Sequence, residues 1–102
     1  LAHGLAVQAL REAAPTAELG ITLNFTPALP ASDSPADVDV ARRVDGTANR
    51  LFIEPIMTGQ SPADVLRDLA EYWPADLVHD GDLAAINAPN TNPLASGNLH
   101  QR

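Results

Sequence analysis

Residues 20–26, Gly20-Ile21-Thr22-Leu23-Asn24-Phe25-Thr26, constrain this chain most, because they read as a β-strand and no second strand is in sight. The run is rich in β-branched and apolar residues and is bounded by Gly20 and Pro27. A lone strand presents a row of unpaired N–H and C=O groups on each edge, and these require neighbouring strands. The chain is therefore expected to be a slice of a larger sheet whose other strands lie elsewhere.

The remaining segments read as helices and loops. Leu1, Leu5, Ala6, Ala9, Leu10 and Ala13 recur at helical spacing with Gln8, Arg11 and Glu12 opposite, so residues 1–14 form an amphipathic helix that Pro15 ends. Two prolines and Ser32-Asp33-Ser34 make residues 27–34 a loop. Ser34-Pro35-Ala36-Asp37 then supplies a capping oxygen, a proline at the first helical position and a carboxylate facing free amides. A helix is expected from there through Arg42, Arg43 and Ala48, ending near Phe52 with a turn after it, since Pro55 interrupts the pattern. The same tetrapeptide recurs at Ser61-Pro62-Ala63-Asp64 and opens a helix through Val65, Leu66, Leu69 and Tyr72, stopped at Trp73-Pro74. The flanks of the two copies do not match, so they are two helix starts of one kind rather than an internal repeat. A short helical turn from Asp82 to Asn87 precedes residues 90–102, whose Asn, Pro, Ser and Gly content reads as a divergent, unstructured tail. The order is helix, strand, loop, helix, helix. It is mostly helical with one strand, and that alternation points to a parallel α/β sheet.

Composition narrows the partners. The formal net charge of the 102 residues is -7, and all six basic residues are arginine. Nucleic acid is excluded as a partner, because phosphate binding needs clustered cations, and an anionic membrane surface is disfavoured for the same reason. No apolar run approaches the ~20 residues of a membrane span. With no cysteine there is no disulfide, thiolate metal site or catalytic thiol. The first residue is Leu1, so the chain is expected to begin partway through a longer product.

Several words, in order along the chain, carry a resemblance. Leu1-Ala2-His3-Gly4-Leu5-Ala6-Val7-Gln8-Ala9-Leu10-Arg11 resembles the helix that follows the acid/base strand of glycoside hydrolase family 1, and Gly20-Ile21-Thr22-Leu23-Asn24 looks like its next barrel strand. Ser32-Asp33-Ser34-Pro35 through Ala41-Arg42-Arg43-Val44-Asp45-Gly46, then Asn49-Arg50-Leu51-Phe52-Ile53-Glu54-Pro55-Ile56, is similar to the long segment before the Trp-Phe-x-Asp-Pro signature of bacterial members. Gly59-Gln60-Ser61-Pro62-Ala63-Asp64-Val65 and Asp80-Gly81-Asp82-Leu83-Ala84-Ala85-Ile86 resemble the words that come next. The resemblance covers residues 1–89. Leu51 stands where the family usually carries Trp, Ser61 where Tyr is common, and residues 90–102 depart from the expected barrel strand altogether.

The resemblance implies a (β/α)8 TIM barrel of which this chain is a fragment, with the site at the C-terminal ends of the strands. It implies hydrolysis of β-glucosides or oligosaccharides with retention, no cofactor or metal, and a cytoplasmic location. Retaining chemistry needs two carboxyl groups about 5–5.5 Å apart. In the family these lie in Thr-x-Asn-Glu-Pro and Thr-Glu-Asn-Gly, and neither motif occurs here. No catalytic residue is therefore assigned, and the isolated chain is expected to be inactive. Asn24, at the predicted C-terminal end of the strand, and Thr26 beside it are the candidate substrate-binding residues, with the 27–34 loop on the aglycone side. Asn24 read instead as a buried amide satisfying a neighbouring strand is the competing structural role.

Other polar residues have plainer explanations. Glu54-Pro55 imitates the acid/base Glu-Pro, but its neighbours match the later structural signature. His79-Asp80-Gly81-Asp82 has too few oxygen ligands for a hard cation and reads as a solvent-facing loop. His3 lies among small apolar residues on the first helix, as a packed histidine would. The alternative to a glucosidase sector is a catalytically dead remnant that binds a partner. In either case the exposed strand edges are expected to drive self-association of the isolated chain.

Overall fold

The computed structural model describes residues 1–87, and the tail expected at residues 90–102 lies outside them. Helix α1 spans Ala2–Ala13, as the 1–14 periodicity predicts, and its last turn closes with the Ala14 N–H donating to Leu10 O at 2.8 Å. Helix α2, Pro35–Asp45, begins as the sequence dictates: Ser34 is the N-cap and its Oγ accepts the Asp37 N–H at 3.2 Å. Pro35 sits where its missing N–H costs nothing.

Beyond Asp45 the chain does not turn at Phe52. A single π turn, Gly46–Arg50, leads directly into helix α3, Leu51–Thr58, which passes through Pro55. An internal proline removes one helical hydrogen bond and costs about 3 kcal/mol. Here Pro55 and the adjacent Ile56 are both buried, and that burial offsets the loss. The true stop is Gly59, whose left-handed conformation (φ 76°) ends the helix while its N–H donates to Pro55 O at 3.0 Å.

The second Ser-Pro-Ala-Asp behaves differently from the first. Helix α4 covers only Ala63–Asp68 and has no side-chain cap. Its expected continuation to Tyr72 is a series of turns, with Tyr72 N–H donating to Leu69 O. Helix α5 is the short Asp82–Asn87 segment that the sequence predicts.

The strand expected at residues 20–26 is not formed, and no strand occurs among the described residues. A strand exists only as one side of a ladder, and no described segment pairs with it. Its alternation survives nonetheless. Ile21 and Leu23 are half-buried in a cleft with Leu1, His3, Phe52 and Pro55, whereas Thr22 and Asn24 are exposed.

Helix α5 packs on α1 and α3, and α4 packs on the π turn. Two glycines set these approaches. A Cβ on Gly4 would lie 2.1 Å from Ala85 O, and one on Gly46 would lie 2.4 Å from Val65 Cγ2. Among the described residues the buried apolar core is limited to Val7, Ile56 and Val65, while Leu29, Phe25, Phe52 and Tyr72 are exposed. The radius of gyration is 15.9 Å, with extents of 51 × 33 × 16 Å. A compact domain of this length would have a radius of about 13 Å. The described residues thus form a slab one or two helices thick.

Candidate substrate-binding rim

The 20–26 segment is anchored at its far end. Asn49, 8% exposed in the π turn, accepts the Thr26 N–H at Oδ1 (2.9 Å) and donates from Nδ2 to Thr26 O (2.8 Å). The same Nδ2 also donates to Asp45 Oδ1 at 2.8 Å. The side-chain amide thereby meets both peptide groups of Thr26, as a neighbouring strand would. Asn49 carried no chemistry in the sequence reading. Its only signal there was its place in the Asn49-Arg50-Leu51-Phe52 word.

Of the two predicted site residues, Asn24 is exposed and Thr26 is exposed at its side chain while its backbone is held by Asn49. The competing role for Asn24, an amide buried against a neighbouring strand, needs a strand that is absent from the described residues. The 27–34 loop leaves directly from Thr26 and lies against α2, where Pro27, Leu29 and Pro30 face Val40 and Val44 across a 290 Å³ cavity.

Behind this edge lies a charged network. Arg50 grips the Asp64 carboxylate with both terminal nitrogens at 2.8 Å and holds Asp45 through Nε at 3.0 Å. Arg42 reaches Asp64 at 2.6 Å and Asp68 at 3.0 Å, and also binds Asp39. Bidentate guanidinium–carboxylate pairing is the strong form of this interaction. Arg50, then Arg42, holds the Asp64 carboxyl far below the usual carboxylate range, and Arg43, then Arg42, lowers Asp39. A general acid needs its pKa raised toward neutrality. These carboxylates are driven the other way, so the network ties α2, the π turn and α4 together rather than exchanging protons. Glu54 sits on α3 beside Arg50, 3.9 Å from its Nη1.

The other polar residues fall where plain structure puts them. His79 and Asp80 are exposed, and the His79 N–H donates to Asp82 Oδ2 at 2.8 Å, closing the turn before α5. Among the described residues no three His, Cys, Asp or Glu side chains converge on a metal position. His3 is half-buried in the cleft beside Ile21 and Leu23; its Nε2 has no hydrogen-bond partner among the described residues, and burial pushes its pKa down. No helix among the described residues is long and apolar enough to cross a membrane.

This arrangement of helices has close counterparts in solved enzymes. The crystal structure of the psychrophilic β-glucosidase BglU from Micrococcus antarcticus superposes with a TM-score of 0.79 at 39% identity, over 91% of this chain and 19% of that one. The class so defined is the (β/α)8-barrel glycosidases, of which the chain is a fragment. The profile of glycosyl hydrolase family 1 matches residues 1–96, and the chain belongs to that family. Among curated relatives, the β-glucosidase of an Agrobacterium strain is 38% identical over 85% of this chain. The 6-phospho-β-glucosidase GmuD of Bacillus subtilis is 35% identical over 99% of it. The chain spans about a fifth of the length of these relatives, 18% and 22% respectively.

Proposed function

We propose that this chain is one sector of a retaining β-glucosidase, and that it builds part of the rim holding the β-glucoside or oligosaccharide rather than the carboxylates that cleave it. The observation that carries the reading is the agreement of sequence and helix arrangement with family 1 β-glucosidases over nearly the whole described chain. Retention proceeds by attack of one carboxylate on the anomeric carbon while a second carboxyl protonates the leaving oxygen; water then releases the sugar, activated by that second group. No cofactor or metal enters this chemistry. Both carboxylates belong to motifs that this sequence lacks, so the chain alone turns over nothing.

Asn24 and Thr26 are the proposed sugar contacts. Their support is exposure together with position: both lie at the end of the segment that resembles a barrel strand in sequence, beside a loop that can border the aglycone. Relatives named for glucosides and for 6-phosphoglucosides leave the sugar itself to residues outside this window. The peptide groups of residues 20–25, unpaired among the described residues, favour self-association of the isolated chain, and a cytoplasmic location rests on the resemblance to bacterial members alone.

The test is a hybrid in which residues 1–89, the span of the resemblance, replace the matching segment of the Micrococcus enzyme. The hybrid is expected to hydrolyse p-nitrophenyl β-glucoside with retained configuration, and Asn24→Ala within it to raise KM severalfold with little change in kcat. A folded hybrid without activity would sink the reading.

A further inference from the structure

Among bonds between described residues, Thr26 alone in the 20–26 segment has hydrogen-bonded peptide groups, and both go to the side chain of Asn49, 23 positions away. A carboxamide carries the same donor and acceptor as a peptide group, so it can stand where a ladder neighbour would. The amide has only one workable orientation. Its nitrogen must face Asp45, because an ionised carboxylate can only accept, and Asp45 is itself fixed by Arg50 Nε at 3.0 Å. The Asn49 bond, then Arg50, keeps the Asp45 carboxyl below its ordinary range. The π turn sets Asp45 and Asn49 four residues apart on one side, and such turns recur at functional sites. With Asn49 at 8% exposure, water cannot readily take its place.

We propose that Asn49 is a positioning residue for glycoside recognition: its amide replaces a strand neighbour at Thr26 and fixes the peptide from which Asn24 and the 27–34 loop project. The role rests on the reading of Asn24 and Thr26 as rim residues. Asn49 touches no sugar; it acts through the backbone it holds.

The test is residue-resolved hydrogen exchange on the full chain, at a dilution where sedimentation shows monomer. In the unmodified chain the Thr26 amide is expected to be protected, while Leu23 and Asn24 exchange freely. Asn49→Ala should lower Thr26 protection about tenfold or more while α1 and α2 amides keep theirs. Asn49→Asp gives the sharper result. Near neutral pH its carboxylate faces Thr26 O and the Asp45 carboxylate, with Arg50 and Asp64 behind Asp45, and it has no proton to donate. Repulsion from those two oxygens should drive the carboxylate, and with it the acceptor for the Thr26 N–H, away from Thr26, so protection should be lost there and return at about pH 4.5, where a protonated carboxyl again offers one donor and one acceptor. A residue that merely supported the helix would show no such pH-dependent rescue at one distant amide. Thr26 exchanging as fast as Leu23 in the unmodified chain would overturn the proposal without any variant. So would protection at Thr26 that is unchanged in Asn49→Ala. The rim reading fails separately, if Asn24→Ala leaves the KM of the hybrid enzyme unchanged.

Discussion

Replacing Gly46 by Ala should destabilise this protein, and the same replacement should stabilise it once Val65 has been cut to Ala. Gly46 lies in the π turn, where Ala is preferred over Gly by about 1 kcal/mol on helix propensity alone. Against that gain, the new Cβ would sit 2.4 Å from Val65 Cγ2, and Val65 is fully buried. Overpacking of this kind costs roughly 1–3 kcal/mol, so Gly46→Ala should be net destabilising by about 1 kcal/mol. Val65→Ala removes two methyl groups from the core and costs about 2 kcal/mol. It also removes the clashing atom. The next Val65 atom, Cβ, is 3.7 Å from the added carbon, an ordinary contact, and Arg50 Nη2 at 3.0 Å need give only a few tenths of an ångström within its pair to Asp64. In the Val65→Ala background Gly46→Ala should therefore gain about 1 kcal/mol, a coupling of roughly 2 kcal/mol between the two sites. Urea unfolding of the four proteins, followed by far-UV circular dichroism, reads this directly. Effects that add to within about 0.5 kcal/mol would refute the close approach of α4 to the π turn.

Gly4→Ala should be less forgiving, because the obstacle is the backbone oxygen of Ala85 at 2.1 Å rather than a side-chain tip. A loss of roughly 1–3 kcal/mol, with faster exchange in α5, is the expected outcome in the same unfolding assay. Acid should loosen the α2–α4 contact. The folded Asp64 carboxyl is depressed below its ordinary value of 3.8, so its contribution is complete above that pH and is lost as the pH falls below it toward the folded value. The urea midpoint should hold steady from neutral pH to about pH 5 and drop below about pH 4, with a shallower drop in Asp64→Asn. An acid-insensitive midpoint would count against the Arg50–Asp64–Arg42 network.

What was legible in the sequence follows the range of the interactions involved. The α2 start was readable because Ser34, Pro35 and Asp37 act within four residues of one another. The identical letters at Ser61-Pro62-Ala63-Asp64 misled because Asp64 is claimed by Arg42 and Arg50, 22 and 14 positions away. No local rule sees such partners. Residues 20–26 show the same division: the alternation that half-buries Ile21 and Leu23 is local and came through, whereas the ladder that would make them a strand needs segments absent from the described residues. Pro55 reads as a break in the sequence because a proline's cost is local, while the cleft that buries its ring is assembled from α3, the 20–26 segment and α5. In the candidate site Asn24 and Thr26 could be named from their place at the end of the predicted strand. Asn49 could not, since its value lies wholly in a contact across 23 residues.

The most direct measurement is to read the coding sequence on both sides of this segment, in all three frames. The account predicts an in-frame Thr-x-Asn-Glu-Pro shortly before Leu1 and a Thr-Glu-Asn-Gly well downstream, the two carboxylates that a retaining glucosidase needs and this sector lacks. Finding neither would contradict the central claim and leave a remnant whose activity has to be sought in binding.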